Sequence, residues 1–200
     1  MRDTSFKSML LVLLVGLLFN TACNKEDIQT TDFGIFSSES ATVVIMNGEI
    51  GSHTPQHWDN YIAAFPSTIR MIMKNCPGSS DDTANLEVAR KVRLSNLSIH
   101  LPADAEIASG AVDFFLAGTS RTRDNGSRIG VHSWSDGNSE ASDFPVGHSN
   151  HDPYIEYYKE MGFSQVQAEA FYYFTINAAP AAGIHWMTDS EIEQYKLLTL

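Results

Sequence analysis

The sequence predicts an α/β fold in which helices flank a mostly parallel sheet. Short apolar segments of strand length alternate along the chain with longer segments of helical character, an order typical of right-handed βαβ units. The segments predicted as strands are residues 42–46, 69–73, 97–101 and 129–131. Residues 23–200 are long enough to form one domain with a substantial core.

Helices are predicted between and after these strands. The first, residues 55–65, has apolar side chains at i, i+3, i+4 and i+7, namely Trp58, Tyr61, Ile62 and Phe65. The second begins at Asp81 or Asp82, since either carboxylate can cap it, and runs to about Arg93. The others are residues 110–117, 153–161 and 164–177 and a last helix at Thr188, where Thr-Asp-Ser-Glu fits a capping box. The polar residues 134–153 are predicted to form a surface loop.

The first 22 residues are predicted to be a lipoprotein signal peptide. Arg2 and Lys7 precede an apolar run over residues 9–19, which is too short to cross a bilayer because a spanning helix needs about 20 residues. Small residues then lead directly into Cys23, as they do in bacterial lipoprotein precursors. An ordinary signal peptide followed by an incidental cysteine is the alternative interpretation.

A lipid on Cys23 would anchor the chain to a membrane of the cell envelope, in the outer membrane or on the periplasmic side. Residues 24–27, Asn-Lys-Glu-Asp, resemble the charged export tag of some Bacteroidetes lipoproteins, which favours the outer membrane. Ser, Thr, Asp and Glu are frequent in residues 23–40, which we predict to be a solvated tether. Residues 41–200 would then form the folded domain.

Composition excludes several classes of function. The chain carries 24 Asp and Glu against 13 Lys and Arg, with a net charge of −11 and no basic cluster, so nucleic acid is not an expected partner. Apart from Cys23 the only cysteine is Cys76, which the pattern favours as a packed residue rather than a nucleophile. His148, His151 and Asp152 have a spacing that could hold a metal, but further ligands are lacking. We predict neither a metal nor a cofactor.

Aromatic residues are concentrated in the two helices that follow the polar loop. They are Tyr154, Tyr157, Tyr158, Phe171, Tyr172, Tyr173 and Phe174. Most are expected to pack in the core, and the alternative is that part of the cluster forms the face of a homo-oligomer.

Three short segments, residues 75–79, 107–111 and 127–132, carry the residue types that acyl transfer requires. A serine hydroxyl becomes a nucleophile when a neighbouring base takes its proton, and neutral histidine suits that task at neutral pH. Ser109 stands at the start of a predicted helix, and His132 ends a predicted strand. The N–H that follows Ser109 and those of the Pro-Gly turn in residues 75–79 can face the developing oxyanion.

The order of these segments resembles the proteolytic subunit of the Clp protease. It is more similar still to predicted periplasmic proteins of that superfamily, which are often labelled loosely as α/β hydrolases. The matching motifs are Asn75-x-Pro77-Gly78, Ser109 among small residues, Gly118-x-x-Arg121, His132, Asn47-Gly48-Glu49-Ile50, and Trp186-Met187-Thr188 with Glu191. The resemblance extends over residues 42–198, nearly the whole predicted domain.

The resemblance implies a crotonase-like fold, a ββα superhelix, and a serine hydrolase of the peptidase type. It implies that Ser109 is the nucleophile and His132 the general base, with the N–H groups of Ser79 and Gly110 forming the oxyanion hole. The expected partners are a peptide or small acyl substrate, the membrane through the lipid anchor, and further copies of the chain, since proteins of this superfamily assemble into rings or trimers.

The sequence departs from the family pattern in three places. Ser79 replaces the second glycine of the turn, and Asp113 stands where a hydrophobic residue is usual. The segment that holds the acidic member of the family's triad, residues 177–184, contains no carboxylate, and Asn177 is the nearest polar substitute for orienting the histidine. A catalytically silent binding or scaffold module is therefore the competing hypothesis. A carboxylate from the polar loop, such as Asp136 or Asp143, could restore the enzyme.

Overall fold

The computed structural model describes residues 32–199. The predicted signal peptide, the lipid-bearing Cys23 and the proposed export tag at residues 24–27 lie outside these residues. Within residues 32–199, the helices are too short or too polar for any of them to span a bilayer.

Within residues 32–199, nine strands form two sheets. They are β1 (Phe36–Ser40), β2 (Val43–Met46), β3 (Arg70–Met73), β4 (Asn75–Cys76), β5 (Ser98–Leu101), β6 (Glu106–Ala108), β7 (Ser120–Arg123), β8 (Arg128–Val131) and β9 (His185–Trp186). The first sheet has the order β1-β2-β3-β5-β7 and is parallel except for the edge strand β1. The second has the order β4-β6-β8-β9 and is parallel except for β9.

In the described part of the chain, six α-helices connect and cover these sheets. They are α1 (Thr54–Ala64), α2 (Asp82–Leu94), α3 (Gly110–Phe115), α4 (Asp152–Glu160), α5 (Gln165–Ala178) and α6 (Asp189–Gln194). From β3 onward, successive passes of the chain add one strand to the first sheet, a short strand to the second, and then a helix, as in β3-β4-α2 and β5-β6-α3. This repeat confirms the predicted α/β class and the ββα superhelix.

Local sequence signals account for several helix boundaries. The side chain of Asp81 accepts a hydrogen bond from the Ala84 N–H at 3.0 Å, so Asp81 caps α2. Thr188 forms the predicted capping box with Glu191 at the start of α6. The predicted bounds of α1 and α2 are confirmed to within one residue at each end.

The boundary between tether and domain was predicted wrongly. Residues 36–40, assigned to the tether, form strand β1, which pairs with β2. Phe36 is only 3% exposed and packs edge-on against Trp58, with ring centroids 5.2 Å apart. Its single large apolar side chain among serines gave too weak a pattern, and burial against α1 supplies the stability of the strand.

The polar loop lies at the surface, as predicted, and aromatic rings anchor it to the domain. Trp134 stacks on Phe144 at 5.8 Å, and the His151 ring is fully buried. One ring nitrogen of His151 bonds the Tyr172 hydroxyl at 2.7 Å and the other bonds the Pro145 carbonyl at 3.2 Å. Most of residues 134–151 are exposed, as expected of a surface loop, while the rings of Trp134, Phe144 and His151 pack the segment as a cover over α4 and α5. Most of the aromatic cluster in those helices is core, as predicted, since four of its seven members are buried: Tyr157, Tyr158, Phe171 and Tyr172.

Candidate active site

Ser109 occupies a backbone conformation that few residues other than glycine adopt. Its φ is 54° and its ψ is −135°, at the junction between β6 and α3. The junction is held on both sides, because the Ser109 N–H donates to the Gly130 carbonyl at 3.0 Å and the Ser109 carbonyl accepts from the Val112 N–H at 2.8 Å. A β-carbon in this region is strained, and such strain is concentrated at functional sites.

The turn after β4 lies directly against this junction. A β-carbon placed on Gly78, whose φ is 138°, would come within 2.8 Å of the Ser109 Cβ. A β-carbon on Gly110 would come within 2.2 Å of the Ser79 Oγ. Both positions therefore require glycine, and the turn and the start of α3 approach each other as closely as backbones can.

Two backbone donors at this contact have no partner among the residues that the structure describes. Among residues 32–199, neither the Ser79 N–H nor the Gly110 N–H donates a hydrogen bond. These are the two groups that the resemblance assigns to an oxyanion hole. An unpaired backbone N–H is uncommon in a folded interior, and the first turn of a helix leaves such donors free for a ligand.

Ser109 and His132 line the same pocket. The pocket is a cavity of about 40 Å³, which is room for roughly three water molecules. Its wall comes from α2, the β6–α3 junction, the end of β8, the cover and helices α4 and α5. Within the described residues no hydrogen bond joins the Ser109 hydroxyl to the His132 ring or to any other group. Catalytic hydrogen bonds of this kind are often long without substrate and shorten when substrate binds.

A backbone carbonyl orients the His132 ring. The Nδ1 atom lies 2.7 Å from the carbonyl oxygen of the adjacent Ser133. Because a carbonyl oxygen only accepts hydrogen bonds, Nδ1 carries the proton, and Nε2 of the neutral ring has a free lone pair. This is the tautomer that a general base for Ser109 needs.

The structure does not place Asn177 or the two loop carboxylates at this histidine. Asn177 is exposed, and its side-chain amide donates to the Tyr173 carbonyl at 2.6 Å. The Asp136 carboxylate accepts from two N–H groups of its own turn, and Asp143 accepts from the Glu140 N–H at 2.8 Å. The expectation that Asn177 orients the ring was wrong, because the Ser133 carbonyl already takes the Nδ1 proton.

Two carboxylates and three tyrosines in the pocket were not predicted as site residues. Asp82 accepts hydrogen bonds at 2.5 Å from both the Ser79 Oγ and the Tyr154 hydroxyl. Asp113 accepts one from the Tyr158 hydroxyl at 2.6 Å. Tyr172 is the third tyrosine of the wall. The one available signal was Asp113 itself, a carboxylate at a helix position where apolar residues are usual.

Burial perturbs the ionisation of these groups. It raises the pKa of Asp113 to about 7; the Tyr158 hydrogen bond opposes this rise and the nearby charge of Asp82 adds to it. Burial also raises the pKa of Tyr154 and of Tyr158 far above the usual phenol range. Cys76 lies outside the pocket and is buried, which raises the pKa of its thiol to about 11, so it stays a neutral packed side chain as predicted.

The other candidates do not form a site. The described residues contain no group of three or more His, Cys, Asp or Glu side chains placed to hold a metal. His148 accepts a hydrogen bond from the Asn150 N–H at 3.2 Å within its own turn.

Solved proteases share this fold. A substrate-peptide complex of 1510-N, a membrane-bound stomatin-specific protease, superposes with a TM-score of 0.51 at 20% identity over 78% of this chain and 72% of that chain. The 1510-N membrane protease specific for a stomatin homolog from Pyrococcus horikoshii gives 0.50 at 16% identity over 79% and 70%. ClpP1 from Listeria monocytogenes gives 0.53 at 14% identity over 79% and 89%. No family model and no curated protein matches the sequence.

The chain therefore has a Clp protease-like fold, as the motifs predicted. At these identities the superpositions show the architecture, and the chemistry must be argued from the pocket itself.

Proposed function

We propose that this chain is a serine hydrolase of the peptidase type, anchored in the cell envelope and related to the periplasmic branch of the Clp protease superfamily. The observation that carries the proposal is the pocket shared by Ser109 and His132, with the unpaired N–H of Gly110 in its wall and that of Ser79 in the adjoining turn. The fold common to this chain and the solved proteases supports it.

The reaction would pass through an acyl-enzyme. The Ser109 Oγ attacks the substrate carbonyl carbon while His132 Nε2 takes the hydroxyl proton, and the carbonyl electron pair moves to oxygen. The N–H groups of Ser79 and Gly110 receive that oxyanion. When the intermediate collapses, the bond to the leaving amine breaks and His132 returns the proton to the amine. Water, deprotonated by His132, then attacks the ester carbon. The bond to Ser109 Oγ breaks, His132 returns the proton to that oxygen, and the acid is released.

The Nδ1 atom of His132 contacts a carbonyl instead of a carboxylate, and this lowers the rate of hydrolysis that we expect. A carboxylate would stabilise the imidazolium that forms during each step, whereas the Ser133 carbonyl offers only a partial negative charge. We therefore expect slow turnover, with a nucleophile that still reacts with strong electrophiles.

Labelling with a fluorophosphonate probe tests this proposal. We expect the wild type to be labelled at Ser109 under native conditions, and Ser109→Ala to lose the label. Ser67→Ala is a matched control, because Ser67 is exposed and lies in the turn before β3. A wild type that stays unlabelled after prolonged incubation would contradict the proposal.

The second candidate is a catalytically silent binding or scaffold module of the same fold. It is favoured by the missing carboxylate at His132 and by the absence, within the described residues, of a Ser109–His132 hydrogen bond. This candidate predicts binding of a peptide that neither Ser109→Ala nor His132→Ala weakens, together with no fluorophosphonate label.

Anchoring through Cys23 is the part of the proposal that places the enzyme at a membrane. Metabolic labelling with an alkyne fatty acid should mark the wild-type chain and not Cys23→Ala. A wild-type chain that is exported but carries no label would show an ordinary signal peptide.

Assembly into a homo-oligomer, expected for this fold, is measurable by the mass of the purified chain.

A further inference from the structure

We propose that the pocket beside Ser109 receives a primary ammonium group, so that the enzyme cleaves acyl bonds next to a lysine-like side chain. This inference rests on the proposed function, and it specifies the substrate class. It is argued from three properties of the pocket: two carboxylates without a cation, a wall of aromatic rings, and a small volume.

The two carboxylates have no cationic partner within residues 32–199. Asp82 and Asp113 form no salt bridge there, and their only side-chain partners are the hydroxyls of Ser79, Tyr154 and Tyr158. One oxygen of Asp113, Oδ2, accepts no hydrogen bond from the described residues. Partly buried carboxylates normally lie next to an Arg or Lys, because an unpaired buried charge is costly. A cation from the substrate would supply the missing charge.

Aromatic rings complete the wall. Trp134 stacks on Tyr154 with centroids 6.2 Å apart, and Tyr154 stacks on Tyr172 at 5.6 Å. All three line the same cavity as the carboxylates, together with Tyr158. Because these rings stack on one another, they offer the methylenes of a bound side chain an apolar wall, and the two carboxylates meet the charge of its ammonium group. A pocket for an apolar side chain would not require the two carboxylates, and one for an acidic side chain would be opposed by them.

The volume selects among cations. A cavity of about 40 Å³ accommodates an ammonium head and its adjoining methylenes, while a planar guanidinium with its five donors needs more width. We therefore assign the pocket to a lysine-type ammonium. The cover formed by residues 134–151 contributes Trp134 to the wall of this pocket.

The first experiment compares hydrolysis of matched fluorogenic acyl amides that differ only in the side chain next to the cleaved bond. Lysine and norleucine have nearly the same shape, and only lysine carries a charge. We expect kcat/KM for lysine to exceed that for norleucine at least tenfold, with arginine in between. In Asp113→Asn the lysine-to-norleucine ratio should fall to about one, and Asp82→Asn should lower it as well. Asp104→Asn, which alters an exposed carboxylate in the turn after β5, should leave the ratio unchanged.

The second experiment measures binding without hydrolysis. Ser109→Ala is titrated with Nα-acetyl-lysine amide and with Nα-acetyl-norleucine amide, and tighter binding of the lysine probe should disappear in Ser109→Ala combined with Asp113→Asn. If the chain binds lysine selectively but no substrate is hydrolysed in a Ser109-dependent way, the proposed function is wrong and the ammonium pocket is supported. Ser109-dependent hydrolysis with equal rates for lysine and norleucine would overturn the ammonium pocket and leave the hydrolase standing. If Asp113→Asn does not fold, the ratio in Asp82→Asn decides in its place.

Discussion

Two polar clusters in this domain differ in whether their hydrogen-bonding groups find partners within the chain. The Arg121 side chain is 5% exposed, and its guanidinium donates to the carbonyls of Leu197 at 2.6 Å and Gly118 at 3.0 Å. Weaker bonds at 3.4 Å reach Leu116 and Lys196. This clasp joins the end of α3 to the C-terminal segment, and every partner of the arginine belongs to the chain.

The Ser109 pocket leaves comparable groups open. Within the described residues, the Ser79 and Gly110 N–H groups donate to nothing, the Ser109 hydroxyl has no partner, and Asp113 has one oxygen without a donor. Polar groups that hold a fold together are satisfied internally, because each unsatisfied one costs free energy. Trp58 Nε1 and the Tyr61 hydroxyl in the core also lack partners within the described residues. What marks the pocket as a candidate ligand site is that its open groups gather around one cavity with Ser109 and His132. The difference separates a structural arginine from a candidate active site without reference to any relative.

The largest expected effect tests the open cluster. Replacing His132 with Ala should lower the rate of hydrolysis or of fluorophosphonate labelling by about 10²–10⁴-fold, because general base catalysis contributes that much. His53→Ala serves as the control, since His53 is exposed before α1. Rates within a few-fold of wild type in His132→Ala would show that another group activates Ser109.

The next effect tests the closed cluster. Arg121→Met keeps much of the length of the side chain and removes its donors, so several buried carbonyls lose their partners. We expect the free energy of unfolding to fall by about 3 kcal/mol, measured by urea denaturation. Arg70→Met, at an exposed position on β3, should change it by less than about 0.5 kcal/mol. Equal effects of the two substitutions would mean that the clasp adds nothing to stability.

A third effect is a pH dependence that belongs to the pocket. The pKa of Asp113 is raised to about 7 in the folded chain, so between about pH 4 and pH 7 the folded state binds a proton that the unfolded state releases. Stability contributed by this group therefore falls as the pH rises through that window. Asp113→Asn removes the effect and keeps an oxygen for Tyr158. Relative to wild type, the variant should gain on the order of 2 kcal/mol of stability on going from pH 5 to pH 8. A difference that does not vary with pH would show that Asp113 is ionised throughout.

The two clusters also differ in how far sequence reasoning could reach them. The helices were predictable because capping residues such as Asp81 and Thr188 act locally, and the apolar strands because their composition is distinctive. Strands of two or three residues, such as β4 and β6, carry no periodicity, and they form only because neighbouring strands pair with them. Ser109 and His132 could be predicted as the nucleophile and the general base from the order of the motifs.

The remaining features of the pocket depend on tertiary contact. The Ser133 carbonyl that orients His132 is a backbone group, and backbone groups leave no mark in a sequence. The convergence of Asp82 from α2 with Asp113 from α3 requires the packing of two helices. Arg121 was visible as part of a motif, but its role as a clasp depends on the position of the C-terminal segment.

The smallest expected effect measures the strain in the open cluster directly. Ser109 has a φ of 54° and a ψ of −135°. A residue with a β-carbon is sterically strained in this backbone conformation, whereas glycine adopts it without strain. Ser109→Ala keeps the β-carbon and Ser109→Gly removes it, and both variants lack the hydroxyl. Although glycine gains more freedom in the unfolded chain, the glycine variant should have the higher free energy of unfolding, by about 1 kcal/mol, since strain of this kind costs about 1–3 kcal/mol. The control pair is Ser67→Ala and Ser67→Gly, because the backbone φ there is not positive, and glycine should be the less stable of the two. If glycine were also the less stable variant at position 109, the junction would hold no strain. The serine would then be an ordinary residue at a helix start, and the contrast between the two clusters would rest on hydrogen bonds alone.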